Sequence, residues 1–183
     1  MPGVVKYFYH SPSSVLPVPD VLGEVMNPKT EYHPLSDSYF AENWVSECQQ
    51  PTIRMVADRE LDTLFWVTRC RDRESAFNKQ QLIVGYLQVD AVVSRPTMRG
   101  GQIIRMHPAL VGTPVLVHFE DALSTKEVFG FVYKRPAFLH RQFVPEELST
   151  ALKTHLDGVQ NIATLCAREI DRLHLSRVSS SDE

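Results

Sequence analysis

The 183-residue chain is long enough for one domain with a sizeable core, and its 43% hydrophobic content is ordinary for a globular fold. No apolar run approaches the roughly 18 to 20 residues needed to cross a bilayer, and no basic and apolar leader opens the sequence, so a cytoplasmic protein without membrane contact is expected. Cys48, Cys70 and Cys166 are odd in number and far apart, which disfavours a zinc knuckle or a disulfide framework.

The net charge of −3 is unevenly spread. Residues 1–68 hold 4 Lys/Arg against 9 Asp/Glu, residues 69–141 hold 11 against 6, and residues 142–183 hold 4 against 7. A basic middle between acidic flanks suits a localised anionic ligand better than a broad, nonspecific duplex-binding face. The alternative is that these arginines are solvated loop and strand-edge charges.

Val4 to His10 alternate imperfectly and read as a strand covered on both faces. Ser11-Pro12 ends it, and Pro17, Pro19, Gly23 and Pro28 keep the chain irregular to about Pro34, in the manner of a lid or surface wrap. Ser36-Asp37-Ser38 looks like a cap for a helix carrying Phe40, Trp44, Val45 and Cys48, with Pro51 stopping it. Thr52 to Val56 reads as a short strand.

Leu61 to Val93 is the centre of the chain. Two β-branched and aromatic runs flank the polar link Arg71 to Gln80, and each is the nearest partner for the other in an antiparallel hairpin. Arg95 to Gly101 has the proline and paired glycines of a turn or mobile loop. Further short strands are expected at Gln102 to Met106, Val115 to Phe119 and Val128 to Lys134. Val144-Pro145-Glu146-Glu147-Leu148 is a helix start, and an apolar stripe runs on from Leu148 to Leu173. Unbroken, that helix would be about 40 Å long, so either Gly158 divides it or part of it reaches a partner as a homodimer seam.

Few residues carry recognisable chemistry. There is no glycine-rich phosphate loop, no Gly-x-Ser-x-Gly elbow and no metal-binding spacing, and no cofactor is implied. His107, His118 and Glu120 could serve an enzyme if they faced one cleft, whereas lone strand histidines and a carboxylate pair at a strand end are commonly structural. Cys70 lies between two arginines but has no sequence-paired base. More informative is the mixture of rings and guanidinium groups: Tyr7, Tyr9, Trp44 and Trp66 could stack a base, and Arg69, Arg71, Arg95, Arg99 and Arg105 could hold phosphate. For Trp66, among Leu64, Phe65 and Val67, core packing is the competing fate.

An N-terminal strand closing in a Ser-Pro turn, a Trp-bearing helix, and the pair Leu64-Phe65-Trp66-Val67 and Ile83-Val84-Gly85-Tyr86-Leu87-Gln88-Val89 together resemble the PUA-like superfamily, which includes EVE, ASCH and YTH domains. The resemblance covers roughly residues 4–135. It implies a small twisted barrel that binds RNA or modified nucleobases in an aromatic-walled pocket, which Tyr9, His10, Ser11, Trp44 and Trp66 would line.

The resulting expectation is a β-rich α+β fold: a partly closed barrel of about six strands over residues 1–144, and a C-terminal amphipathic helical segment over 145–178 packed on it or on a partner. The expected function is a non-catalytic module binding a nucleotide, modified nucleobase or nucleic acid. Tyr9, Trp44 or Trp66 would stack, Arg69 and Arg105 would meet phosphate, and His10 and Ser11 would contact the base edge. An enzyme acting on a small anionic substrate and an assembly subunit using the C-terminal helix are the alternatives.

Overall fold

The computed structural model describes residues 1–20, 42–43, 50–59, 61–99, 102–134 and 142–180. These form a mixed α+β fold with strands β1 (Gly3–Tyr7), β2 (Glu42–Asn43), β3 (Thr63–Arg69), β4 (Gln81–Arg99), β5 (Gln102–Leu116), β6 (Leu123–Ser124) and β7 (Phe143–Val144). The helices are α1 (Gln50–Asp58), α2 (Thr125–Phe129), α3 (Glu146–Asp157) and α4 (Ala163–Ser180). One sheet runs in the order β2-β5-β4-β3-β1-β7, with β6 beside β4, and its two ends do not meet among the described residues. The expected barrel closure is therefore not part of the described fold.

The expected hairpin is its centre: β3 pairs antiparallel with β4 from Thr63↔Gln88 to Arg69↔Gln81. β1 lies parallel to β3, from Gly3↔Thr63 to Tyr7↔Val67, and β7 closes its other side. A parallel pair needs a crossover connection, and α1, which packs on β1 and β5, falls between the two strands in the chain.

Both sheet faces are covered, as the near-continuous apolar strands require. On one face Val4, Leu64, Trp66, Leu87 and Leu116 pack with Val56 of α1 and with Cys166, Ile170 and Leu173 of α4. On the other, Val5, Tyr7, Phe65, Val67, Ile83 and Tyr86 pack with Leu152 and Leu156 of α3. The long C-terminal stripe is thus divided near Gly158 and serves opposite faces. Among the described residues, Leu152, Leu156, Cys166, Ile170 and Leu173 of that stripe pack within this chain.

Asn161 makes that division work. Its Oδ1 accepts from Ala163 N (2.9 Å) at the start of α4 and from Leu116 N (3.1 Å), while its Nδ2 donates to Pro114 O (3.1 Å). Ile162 N adds a bond to Leu116 O (2.7 Å). One amide therefore caps a helix and extends the ladder along the outer edge of β5.

Several expected elements are corrected. Pro51 stands inside the first turn of α1, a position where its missing donor costs nothing, and Thr52 to Val56 is helical instead of extended. Glu42–Asn43 is a strand paired with Val111 and Leu110; Trp44 and most of its expected helix lie outside the described residues. Val128 to Lys134 is not a strand: α2 ends there on Gly130, whose φ of 79° is the left-handed conformation glycine adopts freely. Arg95 to Arg99 continues β4, and the two strands expected on either side of Pro108 are one strand, β5. Prolines are tolerated where a strand edge needs no donor. Pro114 turns its carbonyl, and hence its nitrogen, to the outer edge occupied by Asn161.

Two glycines let β4 and β5 approach at irregular points. A Cβ on Gly112 would lie 1.8 Å from Gln88 O, and one on Gly85 would lie 2.1 Å from Val115 O. Gly112 sits beside the register shift between Val89 and Ala91, after which β4 and β5 continue as a ribbon.

Candidate functional site

The carboxyl ends of β1 and β3 bring together more of the anticipated site residues than any other described region. Phe8 N donates to Val67 O (3.0 Å) and Thr68 Oγ1 donates to Phe8 O (2.7 Å), which carries the parallel pairing past the last ladder pair, Tyr7↔Val67. With side chains alternating along a strand, Tyr9 follows Tyr7 and Arg69 follows Val67 on the same face of the sheet. Tyr9 is 45% exposed, and its ring stands edge-on to the buried Tyr7 ring at 5.2 Å and 89°. Arg69 is half-buried, and its Nε is a buried donor with no hydrogen-bond partner among the described residues. An unpaired buried donor is uncommon, and it marks a place where an acceptor would be gained without displacing an existing bond.

The other flank of Arg69 is its ladder partner Gln81. Its amide is anchored at both ends: Oε1 accepts from Thr125 Oγ1 (3.1 Å) and Tyr133 N (3.2 Å), and Nε2 donates to Tyr133 O (3.4 Å). Tyr133 packs edge-on against Phe131 at 4.6 Å and donates its hydroxyl to Gln142. Burial pushes that phenol upward, so it is a neutral donor at ordinary pH. Arg69 thus ends β3 between β1, which runs into the exposed Tyr9, and Gln81 of β4, whose amide anchors Tyr133. Sequence reasoning missed Gln81, Phe131 and Tyr133. Phe131 and Tyr133 read as alternate residues of a strand, and no local pattern links them to Gln81.

His10 and Ser11 lie behind this surface. His10 is fully buried; its Nδ1 accepts from Arg71 N (2.9 Å), its Nε2–H donates to Leu16 O (2.9 Å), and its ring stands edge-on to Phe119. Burial holds its pKa below the usual histidine value, so the ring is neutral. Arg71 Nη1 ties the same knot by donating to His10 O (3.2 Å) and Asp20 Oδ2 (3.2 Å). Ser11 is buried, with Oγ accepting from Ser13 N (3.4 Å). Their expected contacts to a base edge are corrected to structural roles. The same loop is fastened to α4 through the Glu169 carboxylate, which Arg172 and Ser14 hold below the usual carboxylate range. Residues 11–20 are accordingly a tied-down wrap, and the rest of the expected lid, 21–34, lies outside the described residues.

Trp66 is 1% exposed in the core facing Gly85, so the expected stacking wall is a packing residue. Arg105 pairs with Thr97 on β4, whereas Arg69 pairs with Gln81, sixteen residues away on that strand and roughly 50 Å along its contour. The two arginines belong to different regions. The enzyme alternative is likewise dispersed: His107 pairs with Arg95 on the ribbon, while His118 precedes and Glu120 lies within a short 3-10 turn beyond the far end of β5, roughly 30 Å of strand away. Cys70 is buried and so out of reach of a substrate, and burial pushes the Cys166 thiol up to about 12. No group of three His, Cys, Asp or Glu that could hold a metal occurs among the described residues, and no described helix is long and apolar enough to cross a membrane.

Comparison with family models, with curated proteins and with solved structures finds no match to this chain in any of the three.

Proposed function

We propose that this chain is a non-catalytic module that binds a nucleotide, a modified nucleobase or a nucleic-acid strand at the ends of β1 and β3. Tyr9 supplies the stacking face and Arg69 the phosphate or carbonyl contact. The reading is carried by one observation: Arg69, whose buried Nε has no partner among the described residues, ends the strand that lies parallel to the one running into the exposed Tyr9. Stacking and a guanidinium fork are complementary to the two parts of a nucleotide, the flat base and the anion. The small-barrel reading of the sheet, with its PUA-like resemblance, belongs to this same proposal.

The test is calorimetric titration of the whole chain with the four ribonucleoside monophosphates and with N6-methyl-AMP and 5-methyl-CMP. Binding of at least one is expected, weakened about 5- to 100-fold by Tyr9→Ala, in keeping with roughly 1–3 kcal/mol per stacked base. Arg69→Ala should weaken nucleotides more than the matching nucleosides. Absence of binding at millimolar concentration, or affinities that neither substitution changes, overturns the reading.

A further inference from the structure

Two backbone groups fix where the proton of the His10 ring sits. Arg71 N donates to Nδ1 (2.9 Å), so Nδ1 carries a lone pair; Leu16 O, which can only accept, lies 2.9 Å from Nε2, so the proton is there. A backbone amide and a carbonyl cannot exchange roles. A second proton, on Nδ1, would set two donors against each other and place a cation in a position that is 0% exposed.

The same ring pins a strap. Residues 11–20 fold on themselves through Ser11 N to Val18 O (3.0 Å), Val18 N to Leu16 O (2.8 Å) and Leu16 N to Ser14 Oγ (3.1 Å). They return to the strand end through Asp20 N to Tyr9 O (2.6 Å) and the bridge His10↔Pro19. Arg71 meets this strap twice, by its amide through the ring and by its guanidinium through His10 O and Asp20 Oδ2. Beneath lie the Phe119 ring, 5.0 Å from the imidazole, and the core that buries Val18.

The influences on the ring do not all act in one direction. Burial opposes a second proton most strongly; Leu16 O favours it, Arg71 opposes it, and Asp72 and the Ser14 carbonyl favour it. The 3-10 turn packed on the ring presents Phe119, with His118, Glu120 and Asp121 around it in sequence. From α4, Glu169 meets the strap at Ser14; Arg172 and Ser14 hold its carboxylate below the usual range, so it stays ionised at mildly acidic pH.

We infer that His10 is an acid-operated latch: a proton on Nδ1 breaks its bond with Arg71 N and releases the strap of residues 11–20 while the sheet stays folded. Release uncovers Val18 and Phe119 and removes the bond from Asp20 N to Tyr9 O. The latch belongs to the strap and holds whatever binds at Tyr9 and Arg69.

The test is amide hydrogen exchange of the whole chain at pH 7.5, 6.5 and 5.5, corrected for intrinsic exchange and read with and without low urea. The amides of Ser11, Val18 and Asp20 should lose about threefold or more of their protection across that range, with a ceiling of about tenfold per pH unit below 6.5. At pH 5.5 their exchange should depend only weakly on urea, the mark of a local opening, whereas Val117 N, bonded to Val84 O in the core, should show the full unfolding slope. His10→Gln should remove the pH dependence, and Asp20→Asn should lower protection at every pH while keeping it. In the unsubstituted chain, proton–nitrogen NMR of the ring should place the proton on Nε2 at pH 7.5 and give a titration midpoint that coincides with the change in the strap amides, which decides the matter if the variants fail to fold. The inference is overturned by protection that is constant with pH, by a urea slope equal to that of Val117, by an undiminished decline in folded His10→Gln, or by a ring protonated on Nδ1 at pH 7.5.

Discussion

The inner and outer halves of the β4–β5 hairpin share a backbone pattern and have opposite surroundings. In the inner half, β3 flanks β4 and helices cover both faces, so Leu87, Leu116 and Ile83 are fully buried. In the outer half the strands are described only with each other, and Val92, Ile103 and Met106 face water. Pairing alone therefore decides neither burial nor stability; what covers the pair does.

Truncating one large side chain packed beside the inner half and one in the outer half should have very unequal costs. Trp66→Ala should cost about 3–5 kcal/mol in urea unfolding, because it removes a fully buried ring from a two-sided core. A cost under about 1 kcal/mol would mean the inner half is not the packed unit described. Asn161→Ala comes next, at about 1–3 kcal/mol, since it removes a helix cap and leaves Leu116 N without its side-chain acceptor. Thermal unfolding compared with Asn161→Asp, which keeps the Oδ1 acceptors but loses the donation to Pro114, would separate those contributions.

Acidification probes the His10 knot. Its folded pKa lies below the unfolded value of 6.5, so the unfolded chain binds the extra proton first. This contribution is fully present above pH 6.5 and is lost as pH falls through the depressed folded value. Urea midpoints measured at pH 7.5, 6.5 and 5.5 should therefore decline, and His10→Gln should flatten the decline; an equal slope in both proteins would remove His10 as its source. The smallest effect belongs to the ribbon: Ile103→Ser should change stability by no more than about 0.5 kcal/mol in the same denaturation assay, because the side chain has little burial to lose.

The inner half was legible in the sequence for a physical reason. Dense β-branched and aromatic residues at Leu64 to Thr68 and Leu82 to Val89 have no better environment than a covered sheet. Pro145 with Glu146 and Glu147 marked the start of α3, and Gly158 marked the division between α3 and α4. The outer half was not legible, because Pro96 and Pro108 signal interruption unless the strand edge beside them is known to be free. The site divided the same way. Tyr9 and Arg69 were identifiable as a ring and a cation, but their place on one sheet face follows from a parallel pairing between segments about sixty residues apart. Trp66 and Arg105 look equally suitable by residue type; burial removes the first and strand contour separates the second.

Strand β1 also governs when the chain can fold. Gly3 lies between Thr63 and Val144, so neither edge of the opening strand can be satisfied until much later segments have left the ribosome. Such distant pairings slow folding and leave an apolar segment waiting. Nascent chains stalled before residue 144 should accordingly expose Val4 and Val5 to chaperones or to one another, and that exposure should end only once the segment carrying Val144 has emerged.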